Sequence, residues 1–183
     1  MVPTLVLIDI QKDYFPKGRM ELVNPIKASE NAKKLLDAFR SRKYPIVHVR
    51  HISTSESASF FKPNTDGIDF DTKVQPLDGE KIITKHFPNS FRETELKEHL
   101  DGLGTKDVIF CGMMSHMCVD ATVRAAADLG YNTSLAHDAC ATRNLTFGGT
   151  EVQSSDVHAS FMAALSGTYA SVKNTDEILN DLT

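Results

Sequence analysis

Short apolar runs alternate with amphipathic segments along most of the chain. The first run, Thr4-Leu5-Val6-Leu7-Ile8, ends on Asp9 and shows no alternation of polar and apolar residues. Such a run is typical of a strand that is buried on both faces of a parallel sheet. Further runs of this kind occupy residues 45–49, 81–84 and 107–111, and weaker candidates lie at 132–136 and 169–172.

Between these runs, apolar residues are spaced as they are on one face of a helix. The segment 32–39 follows this spacing. Ser90 followed by Glu93 forms a capping-box pattern, which predicts a helix that begins there and extends through Leu100. Two further helices are predicted over 119–129 and 157–165. Strands that alternate with helices predict right-handed crossovers, and hence an α/β fold: a Rossmann-like three-layer α/β/α sandwich with a mainly parallel sheet of about six strands.

Length and composition limit the classes of protein to which the chain can belong. The 183 residues include 41% apolar and 24% charged residues, which fits one globular domain spanning residues 1–183. The net charge is −4, and acidic and basic residues are mixed along the chain without a basic stripe. Nucleic acid is therefore not an expected partner. No apolar run approaches the roughly 20 residues that cross a bilayer, and the first residues lack the features of a signal peptide. We therefore expect a cytoplasmic protein that does not bind a membrane.

One long segment, residues 53–79, breaks the alternation. It is rich in Ser, Thr, Asp and Asn, contains Pro63 and Pro76, and has no clear period. Connections of this length in a compact domain usually carry function or are disordered. Because the segment also contains the aromatic pair Phe60 and Phe61, we expect it to be an active-site lid or an interface loop, with both rings lining the substrate pocket.

Three residues with reactive side chains follow predicted strands. Asp9 ends the first run, Lys85 follows the run at 81–84, and Cys118 comes shortly after the run at 107–111. Because ligands bind outside the carboxyl ends of the strands in an open parallel sheet, we expect these side chains to meet at one edge. Each residue alone is more typical of a structural role, as a turn cap, a solvated charge or a packed thiol.

Together the three side chains have the chemistry of a nucleophilic enzyme. A nearby cation and the free N–H groups of a helix start favour the thiolate form of Cys118 and can hold an oxyanion. Asp9 can accept the thiol proton and later activate water, while Lys85 orients the carboxylate. We therefore predict a catalytic set of Asp9, Lys85 and Cys118. The other cysteines, Cys111 and Cys140, are interpreted as buried structural thiols.

Four stretches of sequence carry a family resemblance. They are residues 7–15 (LIDIQKDYF), 45–50 (PIVHVR), 85–91 (KHFPNSF) and 112–124 (GMMSHMCVDATVR). In this order they resemble the isochorismatase-like cysteine hydrolases, and the resemblance runs over nearly the whole chain. It implies the same three catalytic residues and a cis peptide bond between Met113 and Met114.

The resemblance also implies roles for residues around the thiol. The backbone N–H groups of Met114 and Cys118 are expected to form the oxyanion hole. Gln11 matches a position near the pocket of the family, and Phe15 matches a position that often helps to wall it. We also count Met113 among the substrate-binding residues, because methionines close to the thiol make the pocket partly apolar.

The histidines are not expected to bind a metal. Nicotinamidases of this family carry an Asp-x-His motif after the second strand, whereas no Asp lies two residues before a His in that stretch here. His48 and His51 would point to opposite faces of a strand. His116 is interpreted as a polar group at the start of a helix, and His158 as a hydrogen-bonded residue of the core or of an interface. We expect neither a metal nor another cofactor.

The presence of Cys118 favours covalent catalysis, because the best-known isochorismatases of this family cleave a vinyl ether without that cysteine. We predict hydrolysis of a C–N bond in a small amide, ureido or carbamoyl compound through a thioester. Two alternatives stay open: vinyl-ether hydrolysis with Asp9 as the acid, and a non-catalytic binding or redox-sensing protein on the same fold. The expected partners are a small-molecule substrate and other copies of the chain, in a homodimer or homotetramer with the helix face at 161–165 between subunits.

Overall fold

The computed structural model describes residues 2–182 and contains a six-stranded sheet. The strand order is β3-β2-β1-β4-β5-β8, and every neighbouring pair is parallel. The chain changes direction across the sheet between β1 and β4, where an open parallel sheet leaves a crevice at its carboxyl edge. The apolar runs form these strands, which are β1 (Thr4–Ile8), β2 (Ile46–His51), β3 (Lys81–Lys85), β4 (Asp107–Met113), β5 (Asn132–Ala141) and β8 (Ser171–Lys173).

Within the described residues, α-helices cover both faces of the sheet. Because both faces are covered, β1 is buried along its whole length. None of these helices is both long and apolar enough to cross a bilayer. The predicted three-layer α/β/α sandwich is confirmed. One face carries α1 (Pro25–Arg42) and α5 (Thr175–Asp181), and the other carries α2 (Leu96–Gly102), α3 (Asp120–Asp128) and α4 (Ser154–Leu165).

Between β5 and α4 the chain forms a short antiparallel hairpin outside the main sheet. Its strands are β6 (Leu145–Phe147) and β7 (Thr150–Val152). Gly148 and Gly149 join them, both with positive φ, which suits the tightest hairpin turns because their two central residues adopt φ above zero. This hairpin was not predicted from the sequence.

The prediction that a helix starts at the Ser90 capping box is wrong. α2 begins at Leu96, and the residues before it form turns. The N–H and the hydroxyl of Ser90 both bond to Thr122 Oγ1, at 3.0 and 2.8 Å. Glu93 has a φ of 54°, which interrupts any helix at that point. Ser90 therefore fastens this turn to α3 instead of capping a helix.

A charged cluster fixes the chain where the segment 53–79 meets β3. The carboxylate of Glu80 accepts two bonds from Arg40 of α1, at 2.7 and 2.9 Å, and one from His48 of β2, at 2.8 Å. The N–H of Leu77 donates to the same carboxylate. Burial alone would raise the pKa of Glu80, but these bonds outweigh it and lower the pKa from 4.5 to about 2.

We expect Glu80 to stabilise the fold above pH 4.5 and to lose this contribution as the pH falls toward 2. Because its pKa is lower in the folded chain than in the unfolded chain, protonation favours unfolding. In urea titrations, the destabilisation caused by Glu80→Gln should shrink by about 1 kcal/mol between roughly pH 6 and pH 3.5. Glu30→Gln, at an exposed position on α1, is the matched control. An equal penalty for Glu80→Gln at both pH values would contradict this role.

Candidate active site

The three predicted catalytic residues come together at the carboxyl edge of the sheet. Asp9 follows β1, Lys85 is the last residue of β3, and Cys118 lies in the turn after β4. Lys85 Nζ is 2.7 Å from Asp9 Oδ2 and donates to Cys118 Sγ at 3.3 Å. The side chains of Asp9 and Lys85 are 0% exposed, and Cys118 is 5% exposed. The buried ammonium therefore bridges the carboxylate and the thiol.

A fourth residue, His51, belongs to this cluster and was not assigned to it from the sequence. It ends β2, which lies between β3 and β1, and it pairs in register with Lys85. Its Nδ1 lies 3.0 Å from Lys85 Nζ. The rule that identified Asp9 and Lys85, a polar residue at the carboxyl end of a parallel strand, identifies His51 as well.

The ammonium of Lys85 has more acceptors around it than protons. Its three N–H groups face Asp9 Oδ2, His51 Nδ1 and Cys118 Sγ, together with the carbonyl oxygen of Phe87 at 3.0 Å. Burial alone would lower the pKa of Lys85, but the carboxylate of Asp9 opposes it and the pKa is raised. Lys85 is therefore charged at neutral pH, and its protons are shared among these acceptors.

His51 is neutral at neutral pH. Burial lowers its pKa from 6.5 to about 4, and the positive charge of Lys85 contributes to this. An unprotonated Nδ1 can then accept a hydrogen bond from the ammonium. The N–H of His51 also donates to Gln11 Oε1 at 2.8 Å, which fixes the backbone at this strand end.

The thiol of Cys118 keeps its proton, whereas a thiolate was expected from the sequence. Burial raises its pKa well above the usual value, the Asp9 carboxylate raises it further, and Lys85 lowers it only in part. The helix start also differs from the prediction, because Ser115–Val119 form a π-helical turn ahead of α3. A protonated thiol needs a base to become a nucleophile, and a carboxylate oxygen of Asp9 lies within 4.8 Å of Sγ. A buried thiol of this kind is also a poor target for oxidants, which disfavours the redox-sensing alternative.

Asp9, His51 and Cys118 have metal-ligand chemistry but do not fit a cation in this arrangement. One donor atom from each lies within 4.8 Å of the others. Lys85 Nζ, however, contacts all three side chains and already supplies the positive charge among them. His48 lies elsewhere, bound to Glu80.

Backbone hydrogen bonds hold the segment before the thiol in a tight turn. The Met113–Met114 peptide bond is cis, as the resemblance implies. The carbonyl of Met114 accepts bonds from the N–H groups of Met117 and Val119, at 3.0 and 3.2 Å. Both Met113 and Met114 are buried. The oxyanion-hole role of the Met114 and Cys118 N–H groups and the pocket role of Met113 stay predictions.

Two histidines fasten the same turn to neighbouring elements. His158 Nδ1 of α4 lies 2.9 Å from Ser115 Oγ, and His116 Nδ1 lies 2.6 Å from Thr142 Oγ1. Both histidines are therefore hydrogen-bonded side chains, as interpreted from the sequence for His158. Their bonds hold the turn that carries Cys118 between β5 and α4.

The segment 53–79 brings aromatic rings to the catalytic cluster. Phe61 is buried, and its ring centre lies 5.7 Å from that of His51 and 4.7 Å from that of Tyr14. Phe60 packs beside it at 4.9 Å. The buried carboxylate of Asp13 accepts a 2.6 Å bond from the N–H of Phe61 and so anchors the segment. Its action as a lid stays a prediction.

The two pocket residues carried over from the resemblance are both buried. The amide of Gln11 is committed to the backbone, because Nε2 donates to the carbonyls of His51 and Ile68 and Oε1 accepts from the N–H of His51. Contact with a substrate would have to replace one of these bonds. Phe15 belongs to the same apolar cluster as Tyr14 and Phe61. Their substrate-binding roles stay predictions.

Tyr14 is a further residue at the site that the sequence analysis missed. Burial raises the pKa of its hydroxyl, and the negative charge of Asp9 raises it further. Its ring packs edge-on against that of Phe61, which in turn lies beside the ring of His51. In the sequence, Tyr14 could have been recognised because it lies between Gln11 and Phe15 in the stretch 7–15, which carries the family resemblance.

The doubly wound sheet, its two helical layers and the acid–base cluster at its carboxyl edge are those of an α/β enzyme. Residues 3–168 match the family model of the isochorismatase domain. The chain therefore belongs to the isochorismatase family and is an isochorismatase-like hydrolase, which confirms the resemblance.

Relatives of known sequence and structure extend over most of the chain. The uncharacterized isochorismatase family protein YddQ of Bacillus subtilis is 50% identical over 179 residues, which are 98% of this chain and 99% of YddQ. A solved isochorismatase structure from Pseudomonas putida has a TM-score of 0.90 and 39% identity, over 96% of this chain and 89% of that one. Nicotinamidase 3 of Arabidopsis thaliana is 25% identical over 155 residues, which are 78% of this chain and 75% of that protein.

Proposed function

We propose that the protein is a cysteine hydrolase that cleaves the C–N bond of a small amide, ureido or carbamoyl compound through a thioester acyl-enzyme. The observation that carries this proposal is the ammonium of Lys85, which contacts Asp9 Oδ2 at 2.7 Å and Cys118 Sγ at 3.3 Å. A carboxylate base, a cation and a nucleophile in mutual contact are the groups that acyl transfer requires. The relative named nicotinamidase 3 supports an amide as the substrate class.

In the first half-reaction, Asp9 accepts the proton of Cys118 while Sγ attacks the carbonyl carbon of the substrate. This coupling suits a thiol whose pKa is raised, since free thiolate does not accumulate before the substrate binds. The carbonyl oxygen becomes an oxyanion, and the N–H groups of Met114 and Cys118 are the proposed donors to it. When the C–N bond breaks, Asp9 returns the proton to the leaving nitrogen, and ammonia or an amine departs.

In the second half-reaction, water attacks the thioester carbonyl and Asp9 accepts a proton from that water. The C–S bond then breaks, the sulfur of Cys118 regains its proton from Asp9, and the acid product leaves. Lys85 stays protonated through both halves. Its charge stabilises the Asp9 carboxylate before proton transfer and the negative charge that develops on Cys118 Sγ during it.

A panel of small amides, ureido compounds and carbamoyl compounds tests this proposal, with ammonia release as the readout. We expect turnover of at least one member of the panel, and a mass increase equal to its acyl group on the peptide that contains Cys118 after rapid acid quenching. Isochorismate belongs in the same panel, with pyruvate release as its readout. Pyruvate release without ammonia release from any other member would overturn the proposal in favour of vinyl-ether hydrolysis.

We expect His51 to act as a positioning residue that holds the ammonium of Lys85. Without the His51 ring packed beside it, Lys85 Nζ can shift from its position between Asp9 and Cys118 Sγ, so His51→Ala should lower kcat about 10- to 100-fold with little change in KM. His51→Asn, which places an amide oxygen near the position of Nδ1, should recover part of the loss. Steady-state kinetics with the best panel substrate measures both effects.

His86→Ala provides the matched control for His51. His86 is the neighbour of Lys85 in the chain, and its Nδ1 bonds the carbonyl of Ile52 outside the cluster. We expect this variant to keep activity close to that of the unaltered protein. Equal effects of the two alanine variants, or no recovery in His51→Asn, would contradict the positioning role.

A further inference from the structure

A cavity of about 260 Å³ lies outside the catalytic cluster, between β5 and the first turns of α1 and α4. Among the described residues that line it, none is Asp9, His51, Lys85 or Cys118. Pockets for drug-sized ligands usually have volumes of about 300–1,000 Å³. The cavity is therefore suited to a smaller ligand.

Nitrogen donors gather on the wall of this cavity. Lys27 of α1 contributes an ammonium, and His137 of β5 and His158 of α4 contribute imidazole rings whose centres are 6.2 Å apart. Within residues 2–182, Lys27 forms no salt bridge and the ring of His137 forms no hydrogen bond. These groups are therefore available to a ligand that accepts hydrogen bonds and carries negative charge.

The starts of two helices act on a ligand with the same sign as these donors. Lys27 lies in the first turn of α1, which contains no acidic residue, and Ser154 and Ser155 are the first two residues of α4. All three line the cavity, and neither helix has a side-chain hydrogen bond at its N-cap. The free N–H groups of such helix starts favour negative charge nearby.

One carboxylate, that of Asp138, also lines the cavity. Its Oδ1 accepts bonds from the N–H and the hydroxyl of Thr175, at 2.8 and 2.7 Å, and its Oδ2 accepts a bond from Asn31. These donors offset the charge of Asp138. It therefore opposes an anion in the cavity less than an unpaired carboxylate would.

Two residues of the cavity wall hold the turn that carries Cys118. His158 Nδ1 lies 2.9 Å from Ser115 Oγ, and Thr142 Oγ1 lies 2.6 Å from His116 Nδ1. Ser115 and His116 are the first two residues of the π-helical turn. A ligand that contacts His158 or Thr142 is therefore one hydrogen bond away from the catalytic turn.

We propose that this cavity binds a small oxyanion, a carboxylate or a phosphate, and that its occupation stiffens the turn that carries Cys118. The ammonium of Lys27 supplies the charge, and the imidazole rings of His137 and His158 supply directional donors. An anion that fixes the ring of His158 also fixes the partner of Ser115. The proposal does not depend on the reaction proposed above, because the cavity is separate from the catalytic cluster.

NMR titrations of the full chain with inorganic phosphate and, separately, with acetate test the site at constant ionic strength. The imidazole resonances are assigned with His137→Gln and His158→Gln. We expect saturable shifts of both rings with at least one ion, and the ion that saturates the site identifies a phosphate or a carboxylate as the ligand. Lys27→Gln should weaken this binding by at least about 10-fold.

Lys34→Gln is the matched control, because Lys34 is exposed on the same helix and outside the cavity wall. We expect this variant to bind the ion as the unaltered protein does. The absence of saturation with both ions, or equal affinity in Lys27→Gln and the unaltered protein, would overturn the proposal.

Amide hydrogen exchange tests the link to the catalytic turn without an activity assay. The N–H groups of Met117 and Val119 bond to the carbonyl of Met114 within this turn. When the ion is bound, we expect their exchange to slow several-fold relative to that of α2 in the unaltered protein but not in Lys27→Gln. Unchanged exchange at these two amides while the imidazole shifts saturate would show that the ion does not stiffen the turn. A failure to find a substrate would leave both measurements unaffected.

Discussion

Cys118→Ala should abolish hydrolysis of the best panel substrate, with kcat reduced by at least about 10³-fold. The side chain at this position is the proposed nucleophile, and alanine leaves Asp9 and Lys85 without an atom to activate. The exchange removes one buried sulfur atom, so we expect the fold to survive with a loss of about 1 kcal/mol in the free energy of unfolding. Ammonia release measures the activity, and thermal unfolding confirms that the variant is folded.

Cys140→Ala is the matched control, because it removes a second buried thiol that lies in β5. We expect this variant to retain activity within a few-fold of the unaltered protein. Sustained ammonia release by Cys118→Ala would exclude the thioester pathway. Pyruvate release from isochorismate by the same variant would instead indicate vinyl-ether hydrolysis with Asp9 as the acid.

Gly112→Ala should destabilise the protein by more than about 4 kcal/mol or prevent folding. A Cβ atom at residue 112 would lie 2.0 Å from the carbonyl oxygen of Ile8, and its φ of 135° is a conformation that side chains rarely adopt. Neither the backbone of β1 nor that of β4 can move without opening the centre of the sheet. The same displacement would separate Asp9, which follows Ile8, from the turn that carries Cys118.

Gly102→Ala is the control for this prediction. Residue 102 ends α2, and a Cβ atom there meets nothing within 4 Å. Because alanine is the better helix former, we expect this variant to gain about 0.5–1 kcal/mol. Urea unfolding measures both variants. A soluble Gly112→Ala variant with the stability of the unaltered protein would contradict the close contact between β1 and β4.

The central strands were predictable because they are buried on both faces and therefore appear as unbroken apolar runs. The strand-end rule then located Asp9 and Lys85 without knowledge of the strand order. His51 was missed because its side chain was considered only as a possible metal ligand. Its true neighbours depend on β2 lying between β3 and β1, and a local pattern does not reveal that order.

Other features depended on contacts between distant parts of the chain. The Ser90 pattern looked like a helix cap, but the hydroxyl bonds Thr122 of α3, 32 residues away in sequence. The protonated state of Cys118 follows from its burial and from the carboxylate of Asp9, which outweigh the cation. Residue type and spacing alone do not report how much water reaches a thiol.

The bridging position of Lys85 has a consequence for the total charge of the site. The total charge is zero, because the cluster contains one carboxylate, one ammonium, a protonated thiol and a neutral imidazole. Transfer of the proton from Cys118 to Asp9 leaves that sum unchanged, and so does the formation of an oxyanion from a neutral carbonyl. The buried cluster therefore never has to hold an unbalanced charge, which would be costly in a low-dielectric interior. This balance favours an uncharged reacting group in the substrate.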